Sequence, residues 1–137
     1  MFQSEVQIRV RYAETDQMSF VYYGNYAMYF EVARVEALRA LGFSYKKLEE
    51  SGVFLPVVNF SIDYLKPAFY DDLLNIRTII PVLPTARIRF EYETYNESDI
   101  LLNKAQTSLV FVNRDTMRPC PPPEDFMKCI SSYFRLD

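Results

Sequence analysis

Residues 11 to 34 read RYAETDQMSFVYYGNYAMYFEVAR, and they place Asp16 in a polar stretch just ahead of an apolar, helix-like run. A carboxylate there could act as a base or nucleophile. The N–H groups at the start of a helix have no intrahelical acceptor and sit at the positive end of its dipole. Together they could make an active-site loop walled by aromatic side chains. Without further context the same residues make an ordinary strand-to-helix connection with a solvated or capping acid. The composition narrows the choice. No histidine occurs in the 137 residues. That removes a Ser-His-Asp or Cys-His pair, a His-ligated zinc and an imidazole base near neutral pH. Catalysis would have to come from carboxylates, tyrosines, lysines, serines or backbone dipoles.

Other side chains offer less. Cys120 and Cys129 are the only two cysteines and lie nine residues apart, which is neither a disulfide framework nor metal-ligand spacing. They read as buried or inert thiols. Gly24, Gly42 and Gly52 are scattered, so there is no glycine-rich phosphate cradle. Ser19 has no neighbouring base to activate it. A net charge of −3 argues against a nucleic-acid binder. No apolar run approaches the ~18 residues of a membrane span, and MFQSEVQIRV at the N-terminus does not resemble a signal peptide. A cytoplasmic protein with no membrane insertion is the expectation. The length suits one domain over residues 1–137, and half the residues are hydrophobic, enough for one core.

The elements that must position Asp16 follow from periodicity. EVQIRVRY alternates, with Val6, Ile8, Val10 and Tyr12 on one face. From Asn25 to Leu41 the pattern is helical and apolar around most of its girth, which predicts a buried helix. Gly42 ends it; Ser44 caps a short second helix that stops near Gly52. VVNFSIDYL, LNIRTII, RIRFEYETY and LLNKAQTSLVFVN read as four strands separated by turn residues. Residues Glu124 to Phe134 predict a terminal helix after the proline run. Four consecutive strands predict an antiparallel meander, joined by the first strand and wrapped around the long helix. This is an α+β, hotdog-type architecture: a curved antiparallel sheet of about five strands around one long central helix. It leaves apolar surface and a sheet edge open, so a homodimer or homotetramer is expected.

The segment YAETDQMSFVYYGNYAMYFEVARVEALRALG resembles the loop and helix of the 4-hydroxybenzoyl-CoA thioesterase family, a branch of the hotdog superfamily. The resemblance rests on Tyr12, Thr15-Asp16, Val21-Tyr22, Asn25-Tyr26 and Glu31-Val32-Ala33-Arg34. A second stretch, IDYLKPAFYDD, is similar to the family's strand ending in Tyr-Leu-x-Pro-Ala. Two departures stand out: Ser19 occupies a position that is often glycine, and Tyr23 one that is histidine in many members. The resemblance implies hydrolysis of an acyl-CoA carrying an aromatic or short-to-medium acyl group, with no metal or other cofactor. It implies Asp16 as base or nucleophile and the Tyr23 backbone N–H as oxyanion donor, with Val21, Tyr22, Gly24 and Asn25 binding substrate.

The chemistry needs little more. A thioester carbonyl is electrophilic and its thiolate leaves without a strong acid. An ionised carboxylate can attack it to give a mixed anhydride, or activate water; burial beside aromatics would favour the second route by raising its pKa. One oxyanion donor typically contributes ~3–4 kcal/mol to the transition state. Glu31 is a rival acid, but pairing with Arg34 or Arg39 is the simpler reading. Asn25 reads as a helix cap or loop brace as well as a substrate contact. Lys66, Arg87, Arg89, Arg114 and Arg118 are candidates for the CoA phosphates, and equally ordinary surface charges. Two other readings stand beside the leading one: a thioesterase acting on acyl-carrier protein, and a non-catalytic module that binds acyl-CoA.

Overall fold

The computed structural model describes residues 1–135. The alternating N-terminus forms β1 (Phe2–Arg9). After a loop, a 3₁₀ turn at Tyr23–Asn25 leads into α1 (Tyr26–Ala40), followed by α2 (Tyr45–Glu50). Then come β2 (Val53–Phe54), β3 (Val57–Tyr64), β4 (Leu73–Ile80), β5 (Arg87–Tyr95), β6 (Leu101–Val110), β7 (Val112–Asn113) and α3 (Glu124–Ile130). Gly42 and Gly52 follow α1 and α2 at φ +86° and +82°, the left-handed region open to glycine at little cost. The Ser44 hydroxyl accepts the Lys47 N–H and caps α2.

Five strands form one antiparallel sheet in the order β1-β4-β5-β6-β3, and β2 pairs with β7 beside it. The expected four-strand meander is therefore only partly formed. β4, β5 and β6 follow one another, but β3 crosses over to pair with β6, Tyr64 facing Asn103. It becomes an edge strand, as β1 does at the other side. The crossover has a chemical reason in the chain. Residues 65–72 tie back to the loop after β1, so β4 starts beside β1, with Arg9 facing Leu73.

The core lies between the sheet and α1, which packs against β1 and β4. Leu74, Ile76 and Ile80 of β4 and Ile88, Phe90 and Tyr92 of β5 are buried as their alternation requires, and they meet Phe30, Ala33 and Ala37 of the helix. The Phe30 ring stacks on Tyr92 at 4.5 Å. The helix is shorter than the apolar run, because its first turn is 3₁₀. Nor is it enclosed all round: Met28 and Val32, four residues apart, share an exposed side. β3 departs furthest from expectation. Alternation in VVNFSIDYL puts Val58, Phe60, Ile62 and Tyr64 on one apolar face, yet Val58, Phe60 and Tyr64 are exposed, as is Val57, and only Ile62 is half-buried.

Arg34 turns inward. It is buried, donating from Nε to the Tyr45 hydroxyl and from Nη1 to the Tyr92 hydroxyl, which also contacts Thr107 at 2.7 Å. The expected Glu31 pairing therefore does not form. Arg39 pairs with Glu36, while Glu31 has no ion pair among the described residues.

Candidate active site

The loop between β1 and α1 is organised around a carboxylate, but Asp16 is not the buried one. Tyr12–Glu14 make one 3₁₀ turn, and the Glu14 side chain folds back into the protein at 7% exposure. Its Oε1 accepts the Arg11 N–H at 2.8 Å and the Tyr29 hydroxyl at 2.9 Å. Its Oε2 accepts the Arg11 guanidinium at 3.1 and 3.3 Å. Burial alone would raise its pKa. The hydrogen bonds from the Arg11 backbone, its guanidinium and the Tyr29 hydroxyl outweigh that, holding the carboxyl below its ordinary value. Tyr29 is pushed up, first by burial and then by this carboxylate. The Glu14 carbonyl accepts the Tyr22 N–H at 2.9 Å and the Asn25 side-chain amide at 2.8 Å. One residue thus fixes the loop to both ends of the turn that precedes α1.

Asp16 sits two residues on, half-buried, in a tight reversal. Its N–H donates to the Phe20 carbonyl at 2.7 Å, and Ser19 N–H donates to the Asp16 carbonyl at 3.0 Å. The Asp16 Oδ1 accepts the Met18 and Phe20 N–H groups at 2.9 and 3.2 Å. Its Oδ2 accepts nothing among the described residues. Ser19 closes the turn at φ +67°, the conformation glycine adopts without strain. The turn keeps the shape a glycine would give it, at a cost in backbone strain.

The two stretches singled out in the sequence meet here. Val21 N–H donates to the Ala68 carbonyl at 2.8 Å, and Phe20 bridges to Phe69, their rings edge-to-face at 5.2 Å. Between the stretches lies a pocket of about 410 Å³. It is lined by Asp16, Met18, Phe20, Val21, Tyr23 and Tyr26 from the first, and by Tyr64, Leu65, Lys66 and Pro67 from the second. Asp16 and Lys66 are the only charged residues among them. Tyr26 and Tyr64 meet edge-to-face at 5.7 Å in its wall. Burial, then the neighbouring Tyr64, pushes the Tyr26 pKa up to about 12, so this phenol is neutral at physiological pH.

At the start of the 3₁₀ turn the N–H groups of Tyr23 and Gly24 donate to no acceptor among the described residues, whereas Tyr26 N–H bonds the Tyr23 carbonyl. Gly24 has no positive φ, and its need for a hydrogen is steric: a Cβ there would lie 2.8 Å from the Tyr22 ring.

Of the residues read from the sequence, the pocket brings together Asp16, Val21 and Tyr23. Tyr22, Gly24 and Asn25 lie outside it. The Tyr22 ring covers Gly24, and the Asn25 amide is engaged by Glu14. Of the basic candidates for the CoA phosphates, Lys66 lines the pocket, whereas Arg89 pairs with Glu91 at 3.3 Å. The sequence reading missed Glu14, whose signal was its spacing from Arg11. Tyr26, which its helical position suggests is a core or interface residue, and Tyr64, on the apolar face of its strand, both line the pocket as well.

Residues 10–130 match the family model described as the thioesterase-like superfamily. The chain is 38% identical to the Bacillus subtilis protein YneP over 119 residues, covering 87% of this chain and 86% of that one. It is 32% identical to the acyl-CoA thioester hydrolase YbgC of Escherichia coli, covering 88% and 90%. The crystal structure of DHNA-CoA thioesterase from Staphylococcus aureus superposes with a TM-score of 0.90 at 32% identity, covering 100% of this chain and 98% of that one.

Proposed function

The chain belongs to the thioesterase-like superfamily and is a thioester hydrolase; from that premise we propose that it cleaves acyl-CoA carrying an aromatic or short-to-medium acyl group. One observation carries the reading: a carboxylate with one oxygen free among the described residues lines an apolar pocket beside a helix start whose first N–H groups find no acceptor among them. The names of the relatives support CoA thioesters as the class. The motif from Tyr12 to Arg34 favours the 4-hydroxybenzoyl-CoA branch and an aryl group, which the tyrosines and Phe20 suit.

In this mechanism the acyl group enters among Phe20, Tyr26 and Tyr64, and the thioester carbonyl oxygen meets the Tyr23 N–H. The Gly24 N–H next to it adds to the same positive potential. Charge that develops on that oxygen is stabilised by donors already in place. Asp16 is held by the Met18 and Phe20 amides through Oδ1 and presents Oδ2. That oxygen either attacks the carbonyl to give a mixed anhydride, which water then opens, or takes a proton from water as it attacks. Either route releases CoA thiolate and the free acid. A single turnover in ¹⁸O-water tests them: unlabelled acid with the label left in Asp16 marks an anhydride opened by water at the Asp16 carbonyl, whereas the base route returns labelled acid and leaves Asp16 unlabelled. Lys66, the cation that lines the pocket, is assigned in this reading to a CoA phosphate.

The assembly belongs to the same reading. β3 exposes an open edge and apolar side chains on both faces, which pairing with a second copy would cover. Antiparallel pairing would set the Val57 end of one β3 beside the Tyr64 end of the other, at the pocket. We take a homodimer or homotetramer of one hotdog domain per chain as the working form; sedimentation at micromolar concentration tests it. No helix among the described residues is long and apolar enough to cross a membrane.

The test of activity is thiol release over benzoyl, hydroxybenzoyl, short and longer straight-chain CoA thioesters, with Asp16→Asn beside the parent. Turnover that survives the substitution removes the mechanism. Binding without turnover would favour a non-catalytic module.

A further inference from the structure

Behind the pocket wall, three polar atoms are buried without partners. Thr94 of β5 and Asn103 of β6 face each other in register, and Tyr64 faces Asn103 from β3. Thr94 and Asn103 are both 0% exposed. The Thr94 Oγ1 and both polar atoms of the Asn103 amide have no hydrogen-bond partner among the described residues. An amide carries two donors and two acceptor sites, and a hydroxyl adds a donor and acceptor of its own. Buried polar groups are normally paired, and each exception asks for a cause. Elsewhere in this core they are paired: Thr107 bonds Tyr92, Tyr92 bonds Arg34, and Tyr29 bonds Glu14.

The position of these atoms suggests the cause. The Tyr26 ring lines the pocket, while its hydroxyl approaches the Asn103 side chain and the Ala68 backbone. Tyr26 and Tyr64 therefore both border the pocket and both neighbour Asn103, Tyr26 through its hydroxyl and Tyr64 across the β3–β6 pair. A valine and a leucine would fill this space at no hydrogen-bonding cost, yet the chain keeps a hydroxyl and an amide.

We propose that Thr94, Asn103 and the Tyr26 hydroxyl form a binding site for one hydroxyl group at the inner end of the pocket. The hydroxyl comes from a water molecule or from the far end of the bound acyl group. The second source rests on the acyl-CoA reading above; the first does not. A hydroxyl there donates to the Asn103 Oδ1 and accepts from its Nδ2 or from Thr94. A water that fills the site when the acyl group lacks a hydroxyl limits the discrimination, because the pair is then never left unpaired.

Two measurements separate the sources. The first is a crystal structure of the free protein at a resolution that shows ordered water. The second is kcat/KM for 4-hydroxybenzoyl-CoA against benzoyl-CoA, and for a hydroxylated against an unsubstituted short straight chain. Both pairs are run with the parent, Thr94→Val and Asn103→Leu. An acyl hydroxyl in the site gives a preference of about tenfold for one hydroxylated substrate, well short of what a site with no competing water can reach. The preference falls to about onefold in the variants, and the unsubstituted substrate is turned over within about twofold of the parent rate. Water as the occupant gives no preference but an ordered water within hydrogen-bond distance of Thr94 and Asn103. Finding neither the water nor the preference overturns the proposal. If no CoA thioester is hydrolysed at all, the function proposed above fails, and the crystal structure still decides this site. Should Asn103→Leu fail to fold, Thr94→Val and the crystal structure carry the test.

Discussion

Glu14 and Asp16 stand two residues apart in one loop, and the protein treats them oppositely. Glu14 is buried and every polar atom it has is engaged: both carboxylate oxygens, and a carbonyl that accepts twice. Asp16 is half-buried, with one oxygen anchored by two amides and the other unengaged. A saturated carboxylate is a brace, since any proton or electrophile must first break its bonds. A carboxylate held on one side only is fixed in direction and still able to react. If Asp16 is the working acid proposed above, burial and chemical role are reversed from the rule that the buried acid in a cleft is the reactive one. What decides is the count of donors already satisfied.

The largest test of this contrast is Asp16→Asn. Thiol release should drop by about 10²–10⁴-fold, the range for loss of a positioned base. The melting temperature should hardly change, because the amide oxygen still accepts from Met18 and Phe20. Next is Glu14→Gln, with the opposite signature. A side-chain amide facing the Arg11 guanidinium should lower stability by about 1–3 kcal/mol in chemical denaturation. Activity should fall only as far as the loop loosens. Equal losses of activity and stability in the two variants would erase the distinction.

pH sharpens it. The folded pKa of Glu14 lies below the ordinary carboxylate value of 4.5. Its stabilisation is therefore complete above that value and disappears as pH falls through the lower folded value. The acid limb of a stability–pH curve should flatten in Glu14→Gln. Tyr26 works in the other direction. With its pKa pushed from 10.0 to about 12, it stabilises the fold below pH 10 and that support is lost between 10 and 12. Tyr26→Phe should flatten the alkaline limb in equilibrium unfolding. Smaller still, Ser19→Gly should raise stability by roughly 1 kcal/mol, the cost of a left-handed conformation in a residue with a side chain, and leave kcat unchanged.

What could be read from the sequence was whatever repeats or is chemically scarce. Alternation and turn residues located the five strands of the main sheet along the chain, the absence of histidine narrowed the chemistry to other groups, and the resemblance of residues 12–34 to a known family singled out Asp16. Glu14 was illegible because its role depends on Tyr29, fifteen residues away on a helix face that periodicity cannot orient. β3 was placed correctly along the chain and wrongly in space. Its alternation matches that of β4 and β5, and nothing local tells an edge strand from a central one. The Thr94–Asn103 pair escaped for a related reason. A polar residue in a strand reads as outward-facing until register shows which face it shares.

The crossover that places β3 beside β6 has a consequence for how the chain is made. β1 must wait for residues 73–80 and β3 for residues 101–110 before either finds its partner. Before those partners emerge, α1 and α2 are the elements that can gain structure from local contacts. Synthesis therefore passes through a long interval in which Val57, Val58 and Phe60 emerge with no strand to join, the circumstance in which nascent chains associate wrongly. The pocket itself cannot form until Ala68 reaches Val21, so no chain that stops short of residue 68 carries it. Slow synthesis through residues 65–110 should increase misassembly, and crowding the growing chain with a second copy should increase it further.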